Sequence, residues 1–109
     1  MYERDDHMSV KLKQEEDKLT ALLIGEIDHH SSQEMRQEID GCVGRTDYKL
    51  LILDFKDVTF MDSSGIGLVM GRWRAMQAVG GEVKLKNVPS NIQRVMRLAG
   101  IDRLAPEEK

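Results

Sequence analysis

Two short polar stretches carry most of the side chains with which this chain could do chemistry. One is Asp62-Ser63-Ser64-Gly65, in which a carboxylate precedes two hydroxyls, and the other is Asp28-His29-His30. A serine can act as a nucleophile or receive a phosphate, whereas Asp and His serve as general bases and metal ligands. These residue types raise four hypotheses: a hydrolase, a metal site, a nucleotide site and a phosphorylation switch.

A serine hydrolase is disfavoured by the residues around the two serines. The usual nucleophile turn has a glycine two residues before the serine. For Ser63 that position holds Met61, and for Ser64 it holds Asp62. His29-His30 could supply a general base, but no oxyanion loop accompanies them.

The Asp28-His29-His30 run is also a weak metal site. Adjacent histidines do not easily converge on one ion, and no later histidine follows to complete a shell. The one cysteine, Cys42, is expected to be an inert, partly buried thiol. We therefore expect no metal and interpret the run as a solvated loop.

A glycine pattern suggests a nucleotide site only superficially. Gly65-Ile66-Gly67 and Gly71 follow a predicted strand and enter a predicted helix, as in a dinucleotide fingerprint. Residues 56–62 are expected to separate strand and glycines, whereas the fingerprint needs an immediate tight turn. Asp62 would also place a negative charge where a pyrophosphate would lie. A small nucleotide-binding domain remains a minor alternative.

The elements that position the serines are a buried strand and the helix after it. Leu50-Leu51-Ile52-Leu53 is a short apolar run typical of a strand buried on both faces, with residues 56–61 as a connection. Apolar residues then recur with the 3.6-residue period of a helix that Gly80-Gly81 ends. That apolar stripe consists of Ile66, Val69, Met70, Trp73 and Met76.

The remaining elements follow from alternation and periodicity. Residues 9–14 and 19–25 are predicted to form a hairpin, and residues 82–86 a further strand. A polar loop, 26–32, is expected to precede a helix that starts at Ser32, and Pro89-Ser90 to start a last helix that Gly100 closes.

The predicted order is β-β-α-β-α-β-α in a single α/β domain over residues 9–105. A small mixed sheet with helices packed mainly on one face is the economical architecture. Residues 1–8 are expected to be a flexible terminus, with His7-Met8 typical of a cloning junction, and residues 106–109 a tail. Both polar loops leave carboxyl ends of strands, so they could form one surface.

Composition excludes several functions. The net charge of −3 argues against a nucleic-acid partner. No apolar run approaches the roughly 20 residues that span a bilayer, and the polar N-terminus is unlike a secretory signal. A cytoplasmic protein is expected.

Capping of the helix by Asp62, Ser63 and Ser64 could be purely structural. The glycines, however, each cost up to about 1 kcal/mol relative to alanine in a helix. Gly67, Gly71 and Ala78 would form a side of small residues on which another backbone could pack closely, either the domain's own sheet or a partner.

An exposed hydroxyl at a helix N-terminus is also reachable by a kinase. A phosphate there would add about −1.5 to −2 charges beside Asp62 and would repel a docked partner. The helix dipole tolerates the phosphate, so the fold need not change.

The residues resemble a known family. Phe60 to Gly67, with Gly71-Arg72 and Gly80-Gly81-Glu82, are similar to the signature of the anti-sigma factor antagonists, which have the STAS fold. Residues 25–30 match the other signature loop, and their Asp-His-His form resembles the sporulation member. The likeness runs from about Leu19 to Leu104.

The resemblance implies a binding module without catalysis or cofactor of its own, a monomer when free. The unphosphorylated form would bind an anti-sigma factor serine kinase, which carries the ATP or ADP, and so release sporulation sigma factor F. The kinase would phosphorylate Ser63, and a serine phosphatase would reverse this. A general stress sigma factor pathway is the alternative. The residues expected to bind the partner are Asp28, His29, Asp62, Ser63, Ser64, Gly65 and Gly67.

Overall fold

The chain folds around a four-stranded sheet with the order β1-β2-β3-β4. The structure is a computed structural model that describes residues 9–44 and 48–108, so the flexible terminus predicted for residues 1–8 lies outside it, as does the last residue of the predicted tail. The elements are β1 (Val10–Glu15), β2 (Lys18–Ile27), α1 (His29–Val43), β3 (Leu50–Met61), α2 (Ser63–Ala78), β4 (Glu82–Lys86), α3 (Ser90–Leu98) and α4 (Ile101–Leu104). The predicted order is confirmed, with the short α4 added at its end.

The sheet is mixed, as predicted. β1 pairs antiparallel with β2, while β2–β3 and β3–β4 are parallel pairs joined through α1 and α2. The hairpin turn is short, since β1 ends at Glu15 and β2 begins at Lys18, and Glu16 adopts a positive φ of 52° there. Parallel pairing matters for function because it brings the carboxyl ends of β2 and β3 to the same edge.

The helices pack on one face of this sheet. Leu19, Leu51 and Val83 lie in register across β2, β3 and β4, and all three are buried in a single apolar core. The helical members of that core include Met35 of α1 and Met76 of α2. The core residues of β2 and β3 alternate along each strand up to the register shifts between them, so the helices that supply this core share one side of the sheet.

The strand predicted to end at Phe55 is longer than expected. β3 continues to Met61, so the connection predicted for residues 56–61 is wrong, and Asp62 directly follows the strand. Two register shifts between β2 and β3 interrupt the pleat, and Phe55, Val58 and Met61 are buried at intervals of three rather than two. Bulges of this kind remove the alternation from which strands are recognised in a sequence. One of the two arguments against a nucleotide site, the long separation, therefore does not hold.

The loop predicted for residues 26–32 is mostly regular structure. β2 runs to Ile27 and α1 begins at His29 instead of Ser32, which leaves Asp28 alone between them. The helix starts early because Asp28 caps it. The apolar stripe predicted from Met35 and Ile39 is confirmed, since both side chains are buried.

The buried side of α2 is wider than the predicted stripe. Val69 and Met76 are buried as expected, but the predicted members Ile66, Met70 and Trp73 are only partly buried. Because α2 contacts α1 and α4 as well as β3 and β4, its buried arc also takes in residues that the stripe omitted. Those are Gly65, Leu68 and Arg72.

The C-terminal residues placed in a tail by the sequence lie against β4. The Leu85 amide donates to the Pro106 carbonyl at 2.9 Å, and the Glu108 amide donates to the Leu85 carbonyl at 2.6 Å. This short parallel bridge covers part of an edge strand that would otherwise expose unpaired backbone groups.

Replacing Leu53 by alanine should reduce the free energy of unfolding by about 2–5 kcal/mol, since this side chain is fully buried in the central strand. The matched control is Leu98→Ala, at a leucine that is 82% exposed and whose loss should change little. Urea denaturation of both variants measures this, and similar losses from the two would contradict the packing described here.

Candidate functional site

A main-chain hydrogen bond ties together the two polar stretches. Ile27 and Met61 are the last paired residues of β2 and β3, and the Asp62 amide then donates to the Ile27 carbonyl at 3.0 Å. Asp28 follows Ile27 directly, so the residues that cap α1 and α2 stand side by side. Two helix N-termini, with their partial positive charges, therefore open onto one edge of the sheet.

Asp28 holds the start of α1 in a capping box. Its Oδ1 accepts the Ser31 amide at 2.9 Å, and its own amide donates to the Ser31 hydroxyl oxygen at 3.0 Å. That hydroxyl in turn donates to the Glu26 carbonyl at 2.6 Å. The hydrogen bond from the Ser31 amide lowers the pKa of Asp28, so this residue presents a carboxylate at neutral pH.

Of the three residues that the sequence offers as caps of α2, Asp62 is the one that caps it. Its Oδ1 accepts the Ser64 amide at 2.8 Å, and its carbonyl accepts the Gly65 amide at 3.0 Å. Ser63 is the first residue of α2 and is exposed, whereas Ser64 is half-buried. The cap depends on the Asp62 carboxylate, which leaves the Ser63 side chain at the surface.

The histidines lie in the first turn of α1 and do not form a metal site. His29 Nε2 is 3.5 Å from Gln33 Nε2, and His30 Nε2 is 3.5 Å from Glu34 Oε1 with its side chain 85% exposed. Within residues 9–44 and 48–108, no group of three or more His, Cys, Asp and Glu side chains could hold a metal ion. Both rings are thus available at the surface, as solvated side chains.

The glycines of α2 divide between two surroundings. Gly65 is buried, and a Cβ built there would overlap the Sδ and Cγ atoms of Met61. A Cβ at Gly67 or Gly71 would meet nothing within 4 Å. Gly65, expected to bind a partner, therefore faces the domain's own sheet, while Gly67 and Gly71 face outward. Ala78 is exposed at the end of the helix.

Gly67 and Gly71 line a groove of about 330 Å³ between α1 and α2. We call this the α1–α2 groove. The sequence placed three of its residues, His29, Ser64 and Gly67, at a partner surface, and the structure brings them together here. The full lining is His29, Ser32, Gln33, Arg36, Ser64, Gly67, Leu68, Gly71 and Arg72.

Arg72 is a residue of this groove whose role the sequence reasoning missed. It is only 7% exposed, and its Nε lies 2.8 Å from Asp40 Oδ1. Burial lowers the pKa of Arg72, an effect that Asp40 opposes. A signal was available, because Arg72 is four residues from both Leu68 and Met76 and so lies on the buried stripe of the helix.

Phe60 is a further residue near the capping turns to which the sequence analysis gave no role of its own. It is 51% exposed although aromatic, and it lies two residues before Asp62. Exposed aromatic side chains are enriched at protein interfaces, which suits this edge of the sheet to binding.

Comparison with known proteins agrees with this geometry. A family model described as the STAS domain matches residues 9–108. An anti-sigma F factor antagonist of Paenibacillus polymyxa is 29% identical over 100 residues, covering 92% of this chain and 86% of the relative. That of Lysinibacillus sphaericus is 35% identical over 79 residues, covering 72% and 68%.

Solved structures show the same fold. The unphosphorylated form of the anti-sigma factor antagonist SpoIIAA superposes with a TM-score of 0.80 at 30% identity, covering 92% of this chain and 88% of that one. The phosphorylated form of SpoIIAA, a Bacillus cell fate determinant, gives a TM-score of 0.73 at 30% identity, with coverage of 92% and 91%. None of the helices described here is long and apolar enough to cross a membrane.

Because the glycines of α2 lie in two different environments, replacing them by alanine should have opposite effects on stability. Gly67→Ala and Gly71→Ala should each raise the free energy of unfolding by about 0.5–1 kcal/mol, because alanine is the better helix former and the added methyl meets open space. Gly65→Ala should lower it by about 1–2 kcal/mol, because the methyl displaces the buried Met61. Chemical denaturation of the three variants checks this; a shared sign would show that the assigned faces of α2 are wrong.

Proposed function

This chain belongs to the STAS domain family, among the anti-sigma factor antagonists, and on that basis we propose that its unphosphorylated form binds an anti-sigma factor serine kinase. Binding releases the sigma factor that the kinase holds, here the sporulation sigma factor F. The observation that carries the proposal is an exposed serine, Ser63, at the first residue of α2, directly after Asp62, whose amide bonds to the residue before Asp28. The sigma F assignment rests on the two relatives, which are both anti-sigma F factor antagonists.

Phosphorylation of Ser63 switches the interaction off. Ser63 is exposed, whereas Ser64 is half-buried and follows it into the helix. A phosphate on Ser63 adds about −1.5 to −2 charges next to Asp62 and close to Asp28. No lysine or arginine occurs among residues 60–71, which surround Ser63 in the sequence. The added charge and bulk at the helix start exclude the kinase, and a serine phosphatase restores binding.

The switch acts on the surface and leaves the fold in place. Asp62 makes the hydrogen bond that caps α2, so modification of Ser63 does not remove the cap. A phosphate at the positive end of the helix dipole is also favourable. The fold match to SpoIIAA in both its unphosphorylated and phosphorylated forms supports this view.

Incubation with ATP and an anti-sigma factor kinase should add one phosphate to the wild-type chain and none to Ser63→Ala. Intact mass spectrometry measures the addition. Ser64→Ala is the matched control and should still be modified, because the exposed hydroxyl of Ser63 is intact. The assignment of Ser63 as the phosphorylated residue would be overturned if Ser63→Ala still gained a phosphate, or if a folded wild-type chain gained none from an active kinase.

Asp28 gives a test of the interface that leaves the fold unchanged. Asparagine caps helices as well as aspartate does, so Asp28→Asn should remove the charge and leave the melting temperature of the domain unchanged. If the carboxylate pairs with the kinase, affinity should fall about tenfold. Calorimetric titration measures it, with Asp102→Asn on α4 as the control. Unchanged affinity would remove Asp28 from the interface.

Binding to two different anti-sigma factors distinguishes the sporulation pathway from the stress pathway. Titration of the chain into the anti-sigma F factor of Paenibacillus polymyxa and into a stress anti-sigma factor kinase compares them directly. Tighter binding to the anti-sigma F factor is expected, and a preference for the stress kinase would move the chain to the alternative pathway.

A further inference from the structure

The α2 wall of the α1–α2 groove includes two positions without side chains. Gly67 and Gly71 are one helical turn apart, so they lie in line along the same side of α2. A Cβ at either position would meet no atom within 4 Å. Packing inside the domain therefore does not require glycine here, and both glycines lower the helix propensity of α2. Their effect is to let an external group approach the α2 backbone closely.

The charge of the groove is opposite to that of the protein. Two arginines, Arg36 and Arg72, line it together with His29, and none of its lining residues is a carboxylate. The whole chain carries a net charge of −3. The carboxylate of Asp40, which pairs with Arg72, lies outside the lining. The carboxylates that cap the helices, Asp28 and Asp62, accept amides at the helix starts and are not part of the lining either.

Arg72 is incompletely satisfied where it lies. Its Nε is close to Asp40 Oδ1 at 2.8 Å, but neither Nε nor Nη1 makes a hydrogen bond of good geometry to any described residue, although both atoms are buried. The neighbouring charge of Arg36 adds to the lowering of the pKa of Arg72. Two nearby guanidinium groups, of which Arg72 pairs with the one carboxylate of Asp40, leave a net positive charge, which a second anion would neutralise.

We propose that the α1–α2 groove receives an acidic side chain of the anti-sigma factor, which pairs with Arg36 and Arg72 while its backbone packs on Gly67 and Gly71. This inference rests on the function proposed above and extends the interface from the helix starts along two turns of α2. A carboxylate fits because guanidinium groups bind it with paired hydrogen bonds, and because the two glycine positions leave the α2 backbone open to the segment that carries it.

An acidic side chain of the partner bound in the groove would also strengthen the effect of phosphorylation. Ser64 lines the groove and Ser63 directly precedes it in α2, so phosphorylation of Ser63 adds negative charge one residue from the groove lining. An acidic segment in the groove and a phosphate on Ser63 repel one another. The modification would thus act on the partner's acidic group as well as on the contact at Asp28.

Two groove variants and two matched controls test the inference by calorimetric titration with the anti-sigma factor. Gly71→Ala fills the wall, and Arg36→Gln removes an exposed charge without disturbing the buried Arg72. Gly41→Ala is the control for the first, since Gly41 is an exposed glycine of α1 outside the groove with nothing within 4 Å of an added Cβ. Arg94→Gln on α3 is the control for the second.

Each groove variant should weaken binding at least about tenfold, with a melting temperature no lower than that of the wild type, and both controls should bind within about twofold. Arg36→Gln should also reduce the dependence of Kd on salt concentration. The inference would be overturned if both groove variants bound the anti-sigma factor as tightly as the wild type. It would also be overturned if only Gly71→Ala weakened binding and the Kd of Arg36→Gln depended on salt concentration as it does in the wild type. If the wild-type chain bound no anti-sigma factor at all, the proposed function itself would fail.

Discussion

The hydrogen bond from the Asp62 amide to the Ile27 carbonyl is the constraint on which the rest of the site depends. It continues the parallel pairing of β2 and β3 by one step beyond the strands, so the first residues of α1 and α2 leave the sheet together. Two carboxylate caps, an exposed serine and two helix dipoles then share one edge without any long loop. A surface built on strand ends and capped helices is preorganised, because its backbone groups are already satisfied within the domain.

α2 packs on the sheet with one side and shapes a groove with another. Gly65 permits close packing on Met61, whereas Gly67 and Gly71 face the α1–α2 groove. The same residue type therefore packs on the sheet at Gly65 and lines the groove at Gly67 and Gly71. The cost of three glycines in one helix is offset by the buried contacts of Val69 and Met76 with the core.

The charge distribution fits a switch that works by repulsion. The helix starts carry Asp28 and Asp62, and the chain as a whole is acidic, so an added phosphate increases a negative potential that is already present. The basic groove beside them is the local exception. A partner that presents complementary charges to both would bind the unmodified surface and lose one set of contacts on phosphorylation, without any change of fold.

The sequence alone determined the element order, the capping turn at residues 62–64, the exposed-serine hypothesis and the family, because caps, apolar periods and signature residues are local features. It failed at the end of β3, where bulges remove the alternation, and at the start of α1, where Asp28 caps a helix in a stretch that is polar enough for a loop. Only the tertiary structure decided which glycines face the sheet and which face a groove. It also brought Arg36 and Arg72 together from two helices, since contacts between residues distant in the chain depend on how the helices pack and leave no pattern in either helix alone.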